Sequence, residues 1–216
     1  MAGNLAPAVA PSYGARSAIR RFAAATDRVV HDPLALCGAV ISLLVVGAVL
    51  IAPLVAPYNP TAMDYRVMLH GPSMAHLLGT DDLGRDVFTR VLYGGRLSLA
   101  VSLASVALAV AGGVPLGLLA GYVGGATDEV IMRLVDSLMA LPSLVLALTI
   151  TAVLGPGLVN AMFAIAVVAL PGIARLVRGQ VLSLRHNDYV LAARSVGVRS
   201  SLIVLRHVLP NVLNPV

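Results

Sequence analysis

A run without charged residues at positions 97–120 decides the fold, and it reads LSLAVSLASVALAVAGGVPLGLLA. A segment of that length and composition is long enough to cross the hydrocarbon core of a bilayer. Lipid offers no hydrogen-bond partner to a free backbone N–H or C=O group, so a segment that crosses it has to be helical. The run therefore predicts a transmembrane helix.

Three further apolar segments of spanning length lie on either side of this run. They are expected as helices at about 33–56, 130–154 and 158–174, the last of them short. The whole chain is 58% hydrophobic and 12% charged, with a mean hydropathy of +0.91, whereas a soluble domain carries roughly 25% charged residues. These features predict an all-α, polytopic membrane protein.

The basic residues of the chain are all arginine, since no lysine occurs among its 216 residues. A Walker A phosphate loop and a Schiff-base enzyme both require a lysine, so neither chemistry belongs to this chain. The sequence contains no nucleophile elbow and no HExxH pattern. The arginines lie in the loops between apolar runs and are not clustered beside aromatic residues on one polar face, which argues against nucleic acid as a partner. We expect no enzymatic activity, no cofactor and no metal site, with membrane lipid as the surrounding medium.

The distribution of arginine predicts how the spans are oriented. With four spans, the segment 1–32 and the segment after residue 174 lie on the same side and hold ten arginines, whereas the loop at 57–96 holds four. Arginine is enriched on the cytoplasmic side of membrane proteins. We therefore expect a cytoplasmic tail at 1–32, an external loop at 57–96 and a cytoplasmic segment at 176–208.

A polar motif at 79–86, GTDDLGRD, lies in this loop before the second span. Its glycines permit tight turns, and its last two residues are suited to cap or pair at the start of the next helix. The four aspartates of the loop cancel its four arginines, which favours internal pairing over a site for the amino terminus of a substrate. The residues singled out are Gly79, Thr80, Asp81, Gly84, Arg85 and Asp86.

Soft side chains in the same loop raise a second alternative. Met68, His70, Met74 and His76 offer thioether and imidazole ligands that suit a transition metal. No spacing template supports such a site, so packing within the loop is the expected role.

Three glycines recur at four-residue intervals towards the end of the second span: Gly113, Gly117 and Gly121. This spacing places them on one helix face, where a neighbouring helix can approach closely in lipid. Prolines at 115, 142 and 171 interrupt spans and each frees a backbone carbonyl. Both roles, as hinges and as residues that only shape the packing, fit this pattern.

Three charged residues lie near the start of the third span, at Glu129, Arg133 and Asp136. Charged residues within a membrane are functional candidates. Their spacings of four and three residues put them on one helix face, where they can satisfy one another near the cytoplasmic interface. We expect a structural salt-bridge cluster, with a proton or substrate relay as the alternative.

The segment 188–210 differs from a lipid-facing helix and reads DYVLAARSVGVRSSLIVLRHVLP. Its first part predicts a short helix with small side chains at Ala192 and Ala193, and Gly197 is placed to end it. Small side chains let a partner approach closely, and the neighbouring arginines suit polar contacts. The segment therefore fits a helix that seats in a groove of another protein.

The same segment resembles the EAA loop, the signature of permease subunits in ABC importers that work with a substrate-binding protein. The match lies in the two alanines, the glycine five residues after the first of them, and then Leu209 and Pro210. It implies a coupling helix seated on an ATP-binding subunit. The coupling residues so implied are Tyr189, Ala192, Ala193, Arg194, Gly197 and Pro210. One departure is Leu191, which stands where the family has a glutamate and removes an expected acidic contact.

A second match narrows the branch. Residues 78–86, LGTDDLGRD, followed by RLSL at 96–99, resemble the stretch before the second span in the C-type subunit of peptide and nickel permeases. This resemblance implies a type-1 ABC importer permease in the bacterial cytoplasmic membrane that translocates di- or oligopeptides. It also implies a second homologous permease subunit, two ATP-binding subunits and an extracytoplasmic substrate-binding protein as partners. Import of nickel or another small solute is the alternative within the branch.

Apolar character resumes at 209–216, where we expect a further helix to begin. The region 97–216 would then be the permease core, apparently truncated before its last spans. A different class of protein also fits this observation, namely a shortened membrane subunit that binds or regulates the assembly without transporting.

Overall fold

The structure is a computed structural model that describes residues 32–212. Between these two residues the chain forms α-helices, a 3-10 turn at Tyr65–Val67 and a π-helical turn at Val204–Val208, with one isolated extended bridge, between Thr80 and Asp86, and no longer strand. The all-α class expected from the sequence is confirmed. The expected cytoplasmic tail lies, up to residue 31, outside the described residues, as do residues 213–216 of the expected last helix.

The first helix, α1 (Pro33–Leu50), begins at a side-chain cap. The Asp32 carboxylate accepts a hydrogen bond from the N–H of Leu34 at 3.0 Å, which satisfies a donor that the helix itself leaves free. α1 is apolar on every side and mostly exposed, with only Val49 buried. A helix of this kind needs lipid or other helices around it. A four-residue helix, α2 (Ala52–Val55), follows.

The described residues divide into two compact units, with the boundary between Arg96 and Leu97. A long helix, α3 (Val87–Val123), starts in the first unit and ends in the second. Its 37 residues correspond to about 55 Å, which is more than the roughly 30 Å of a hydrocarbon core. α3 starts ten residues before the expected 97–120 span, because its polar first turns are capped by the preceding loop. Pro115 lies inside α3 without ending it.

The expected third span, 130–154, is not one straight helix. It consists of α4 (Gly125–Met139) and α5 (Ser143–Leu154), which are bent by 92° relative to each other. Pro142 causes the break, because proline disfavours a helical conformation in the residue before it and has no N–H to donate. A cavity of about 350 Å³ lies at the bend. It is lined by Leu138, Met139, Leu141, Pro142, Ser143, Leu146, Val168 and Pro171.

The start of α4 and the end of α5 nevertheless contact opposite ends of the next helix, α6 (Leu158–Leu184). At the start of α4, Asp128 accepts hydrogen bonds from Arg178, near the end of α6. At the start of α6, the Asn160 side chain donates to the carbonyl of Leu154, the last residue of α5. The 18 residues from Asn160 to Arg178 rise about 27 Å. Counted as one span, the pair would bring the candidate spans within residues 32–212 to four, together with α1, α3 and α6.

The expected cytoplasmic segment, 176–208, is mostly helical. Its beginning belongs to α6, and α7 (Asp188–Ser195) follows after a short linker. A continuous helical run then comprises α8 (Ser200–Ile203), the π-helical turn and α9 (Leu209–Val212). The wider turn precedes Pro210, whose missing N–H cannot complete an α-helical ladder.

Eight buried aliphatic side chains in the second unit form one cluster, here named the valine-rich core. It joins α3 and α6 to α7 and to the helical run that ends at residue 212. Its members are Val114, Leu118, Val177, Val181, Val190, Ile203, Val208 and Val212. This core holds the segment with the EAA-like motif against the ends of two spans.

Candidate functional site

The residues that resemble a coupling helix lie on α7 and the turn after it. Val190 is completely buried in the valine-rich core, so its side of α7 faces inward. On the other side, Leu191 and Val196 are 45% and 82% exposed, and Ala192 is exposed between them. The outward surface of α7 therefore includes an apolar part, at Leu191 and Ala192, beside exposed polar and charged residues.

Ala192 and Ala193 are adjacent in the motif, but their side chains point in different directions in the structure. Adjacent residues of a helix point about 100° apart, and Ala193 turns inward, partly buried against the valine-rich core. Of the other coupling residues, Tyr189 is 42% exposed and its ring lies 6.5 Å from that of His207. Pro210 belongs to α9. Only part of the predicted set therefore shares one surface.

Gly197 ends α7 in the left-handed region, with φ 80°. Its N–H donates to the carbonyl of Arg194 at 2.9 Å, and the N–H of Val198 donates to that of Ala193 at 3.1 Å. These two bonds satisfy carbonyls that the end of a helix otherwise leaves free. A Cβ at Gly197 would meet no atom within 4 Å, so its backbone conformation alone requires glycine.

Arg194 points towards its own chain. Its guanidinium carbon lies 5.0 Å from the ring centroid of Tyr122, in the last turn of α3. Arg185, at the end of α6, donates from Nη1 to the carbonyl of Gly121 at 3.2 Å. The motif predicts that arginines near α7 contact a partner, whereas Arg194 makes a cation–π contact within the subunit.

The three glycines of α3 lie against α6. A Cβ at Gly117 would approach the carbonyl oxygen of Ala174 to 2.5 Å, and a Cβ at Gly121 would come within 2.7 Å of the Val181 Cβ. At Gly113 the same atom would be 2.9 Å from Ile173. Backbone and side chains of α6 therefore fill the space that any larger residue would need.

The sequence predicts that Glu129, Arg133 and Asp136 pair with one another on α4. This prediction is wrong for Asp136. Arg133 and Glu129 do pair, at 3.2 Å, but both side chains are more than 70% exposed. Asp136 instead accepts a hydrogen bond at 2.5 Å from Arg175 of α6. The acidic side chain turns towards the neighbouring helix, where a second cation is available.

Sequence reasoning missed a more buried pair on the same two helices. Arg178 donates to Asp128 through both Nε and Nη2, the latter at 2.7 Å, and the two side chains are 31% and 18% exposed. One available signal was that Arg178 and Arg185 are seven residues apart and so share a face of α6. We name Tyr122, Asp128, Arg178, Arg185 and Arg194 the arginine-rich end of the second unit.

In the first unit, Asp81 is the centre of the polar motif. Its carboxylate accepts from the N–H groups of Leu83 and Arg85 at 2.9 Å each and from Nε of Arg85 at 2.8 Å, and Arg90 donates to it as well. Burial raises the pKa of Asp81, but these hydrogen bonds and charges outweigh it and lower the pKa to about 2. Asp81 is thus ionised and fully engaged.

Asp86 caps α3 and is 2% exposed. It accepts from the N–H of Thr89 at 2.7 Å and contacts Nδ1 of His76 at 3.0 Å. Burial raises the pKa of Asp86, but the hydrogen bonds from Thr89 and His76 outweigh it, so the net shift is downward. The His76 ring also stacks on the Tyr58 ring, with 4.9 Å between the ring centroids.

Three further members of the motif hold distant parts of the loop together. Gly84, with φ 69°, passes so close to Asp64 that a Cβ would lie 1.8 Å from its carbonyl oxygen. The Thr80 hydroxyl accepts from the N–H of His70 at 3.0 Å and donates to the carbonyl of Val67. A Cβ at Gly79 would be 2.5 Å from the carbonyl of His70. The motif therefore packs within its own loop.

From residue 32 to residue 212, no group of three or more histidine, cysteine, aspartate or glutamate side chains is placed to hold a metal ion. The side chain of His76 contacts Asp86 and Tyr58.

Comparison with known proteins identifies the class. Residues 113–216 match the family described as binding-protein-dependent transport system inner membrane component, and residues 16–72 match the N-terminal transmembrane domain of oligopeptide transport permease C. The chain belongs to this family of inner-membrane permeases. It is accordingly a multi-pass protein of the cytoplasmic membrane, as the sequence predicts.

Curated relatives include two peptide permeases. A di/tripeptide transport system permease protein of Pseudomonas aeruginosa is 42% identical over 216 residues, which is 97% of this chain and 70% of that protein. A dipeptide transport system permease protein of Alkalihalophilus pseudofirmus is 40% identical over 200 residues, covering 93% of this chain and 66% of the relative. A glutathione transport system permease protein of Pectobacterium atrosepticum is 41% identical over 85% of this chain and 61% of its own length. The chain thus spans between 61% and 70% of these three proteins.

Proposed function

We propose that this chain is a permease subunit of an ATP-driven importer that moves di- or oligopeptides across the cytoplasmic membrane. The observation that carries the proposal is its identity of 40% and 42% to permeases of dipeptide and di/tripeptide transport systems, over 93% and 97% of the chain. The fold supports it, because α7 packs on the ends of two spans and leaves Leu191 and Ala192 exposed for contact with a partner. No bond is made or broken by the permease itself.

The partners proposed for this subunit follow from its family and its chemistry. A binding-protein-dependent system includes a substrate-binding protein, which we place outside the membrane. Without lysine the chain has no Walker A loop, so we assign ATP hydrolysis to two separate ATP-binding subunits. A second, homologous permease would complete the pore and cover part of the exposed apolar surface of the spans.

The proposed orientation puts both the 1–32 tail and the arginine-rich end in the cytoplasm and the 57–96 loop outside. Ser73 and Ser200 are exposed on opposite sides in this arrangement. In a Cys37→Ala background, Ser73→Cys should react with an impermeant thiol reagent added to whole cells, and Ser200→Cys only after the membrane is opened. Labelling of both positions from the same side would contradict the orientation.

The proposed mechanism is alternating access. Closure of the ATP-binding subunits would push on residues 188–207, and the spans packed against this segment would rearrange. The valine-rich core would transmit that movement, since it joins α7 to α3 and α6.

Transport is tested with the complete importer in membrane vesicles. We expect ATP-dependent uptake of a radiolabelled dipeptide, competed by unlabelled di- and tripeptides and not by free amino acids. Uptake of labelled nickel, without peptide uptake, would replace the peptide proposal with the small-solute alternative. Assembly with the other subunits but uptake of neither would favour a non-transporting subunit.

Docking of α7 is tested by Ala192→Arg, which adds a large side chain to the outward surface. We expect normal membrane abundance, loss of peptide uptake and ATPase activity that no longer responds to the loaded binding protein. Ala126→Arg is the matched control, because Ala126 is also an exposed alanine, near the start of α4, and lies outside α7. Equal uptake by the two variants would argue against docking through α7.

A further inference from the structure

We propose that Tyr122 is the positioning residue through which α7 is coupled to the spans, with its ring serving as the seat for the Arg194 guanidinium. This inference rests on the proposed coupling function of α7. It assigns a role to a residue at the end of α3 that lies outside the EAA-like motif.

Two side chains of α7 anchor it to the rest of the second unit from the same side. Val190 is completely buried in the valine-rich core, and Arg194, four residues later, reaches the Tyr122 ring at 5.0 Å. Residues four apart on a helix lie on one face. α7 is therefore held by an apolar anchor at its start and a cationic anchor at its end. The end with the cationic anchor leads into the Gly197 turn.

The ring of Tyr122 makes this contact, and its hydroxyl group does not take part. The hydroxyl oxygen is buried and has no hydrogen-bond partner within residues 32–212. The ring packs against the valine-rich core and offers one face to the cation. An aromatic face attracts a guanidinium through its quadrupole, so phenylalanine can replace tyrosine at this position but an aliphatic residue cannot.

The turn that carries Tyr122 is tied to α6 as well. Arg185 of α6 donates to the carbonyl of Gly121 at 3.2 Å, and a Cβ at Gly121 would collide with Val181. The last turn of α3 thus contacts α6 through Gly121 and α7 through Tyr122. A displacement of α7 reaches this turn directly and passes along α3, whose glycine face lies on α6.

The test compares Tyr122→Leu with Tyr122→Phe in the reconstituted importer, with ATPase activity measured with and without loaded binding protein. We expect Tyr122→Leu to lower the binding-protein-stimulated rate and peptide uptake by about two- to fivefold, the range of an exposed cation–π contact. Tyr122→Phe should retain wild-type stimulation. Phe163→Leu removes an aromatic ring from a partly exposed position of α6 and should leave stimulation unchanged.

A second variant keeps the proposal testable if Tyr122→Leu lowers membrane abundance. Arg194→Gln changes an exposed side chain and should produce the same loss of stimulation, with Arg194→Lys partly restoring it. In the double variant the two losses should not add, because they remove one contact. Wild-type stimulation in Tyr122→Leu, or an equal loss in Tyr122→Phe, would overturn the role of the ring. A wild-type complex that shows neither uptake nor stimulation would instead overturn the proposed transport function.

Discussion

The polar loop before α3 and the arginine-rich end of the second unit both contain charge pairs, but they assemble them in opposite ways. In the loop, Asp81 binds side chains four and nine residues further along the chain. At the arginine-rich end, Arg178 and Asp128 are 50 residues apart in sequence. The loop pairs form within a few turns of backbone, whereas the pair between helices exists only once α4 and α6 have packed.

This difference shows where each region obtains its stability. The loop depends on backbone conformation, since its carboxylates accept from nearby N–H groups and both Gly79 and Gly84 adopt positive φ. The arginine-rich end depends on close contact of helices, which the glycine face of α3 permits. Disturbing backbone conformation should therefore damage the loop, and disturbing helix contact should damage the other region.

The largest effect is expected for Gly117→Val. The added side chain would overlap the carbonyl oxygen of Ala174, 2.5 Å from the position of its Cβ, and separate α3 from α6. We expect about 3 kcal/mol of destabilisation, measured as a lower midpoint of unfolding in detergent. Gly172→Val on α6 is the control, because a Cβ there meets no atom within 4 Å. Equal midpoints for the two variants would mean that this helix contact is not close.

A smaller effect, confined to the loop, is expected for Gly84→Ala. The variant combines an unfavourable positive φ with overlap on Asp64, at a cost of about 2 kcal/mol. Limited proteolysis should then cut the 64–86 region faster while the second unit stays resistant. Gly94→Ala, in α3 with open space around its Cβ, should be cut like the wild type. Faster cleavage of the second unit in Gly84→Ala would show that the two regions are not independent.

Asp128→Asn should destabilise the second unit by about 1 kcal/mol, because it leaves Arg178 partly buried without its charged partner. Glu129→Gln removes the neighbouring exposed pair with Arg133. It should lower the stability by no more than a few tenths of about 1 kcal/mol. Unfolding midpoints are measured for both variants, for Arg178→Gln, and for Asp128→Asn combined with Arg178→Gln. If the combined variant loses the sum of both single effects, the pair does not act as a unit.

The smallest effect under ordinary conditions is the pH dependence of the loop. The pKa of Asp81 is about 2 in the folded loop, below its ordinary value of 3.8, so its stabilisation is fully present above about pH 4 and is lost as the pH falls towards 2. Hydrogen exchange at residues 83–85, corrected for its intrinsic pH dependence, should therefore accelerate below pH 4. Asp81→Asn should show no such change, and a parallel change in that variant would assign the effect to another group.

The fold class follows from the sequence, because long uncharged runs have to be helical in lipid. Residues such as Gly197 and Gly84 were also predictable, since a turn that requires positive φ is a local property. The bend at Pro142 is a limiting case. Proline predicts an interruption, but the 92° angle depends on how α4 and α5 pack against α6.

The sequence by itself thus determined a helical membrane protein of the permease family, the loop motif and the location of the segment that we propose as the coupling segment. Only the tertiary structure decided that Ala193 faces inward, that Asp136 pairs with Arg175, and that Arg194 rests on Tyr122. Each of these depends on the rotation of one helix about its axis relative to another. That rotation is set by the packing of many side chains at once, and no single spacing along the chain contains it.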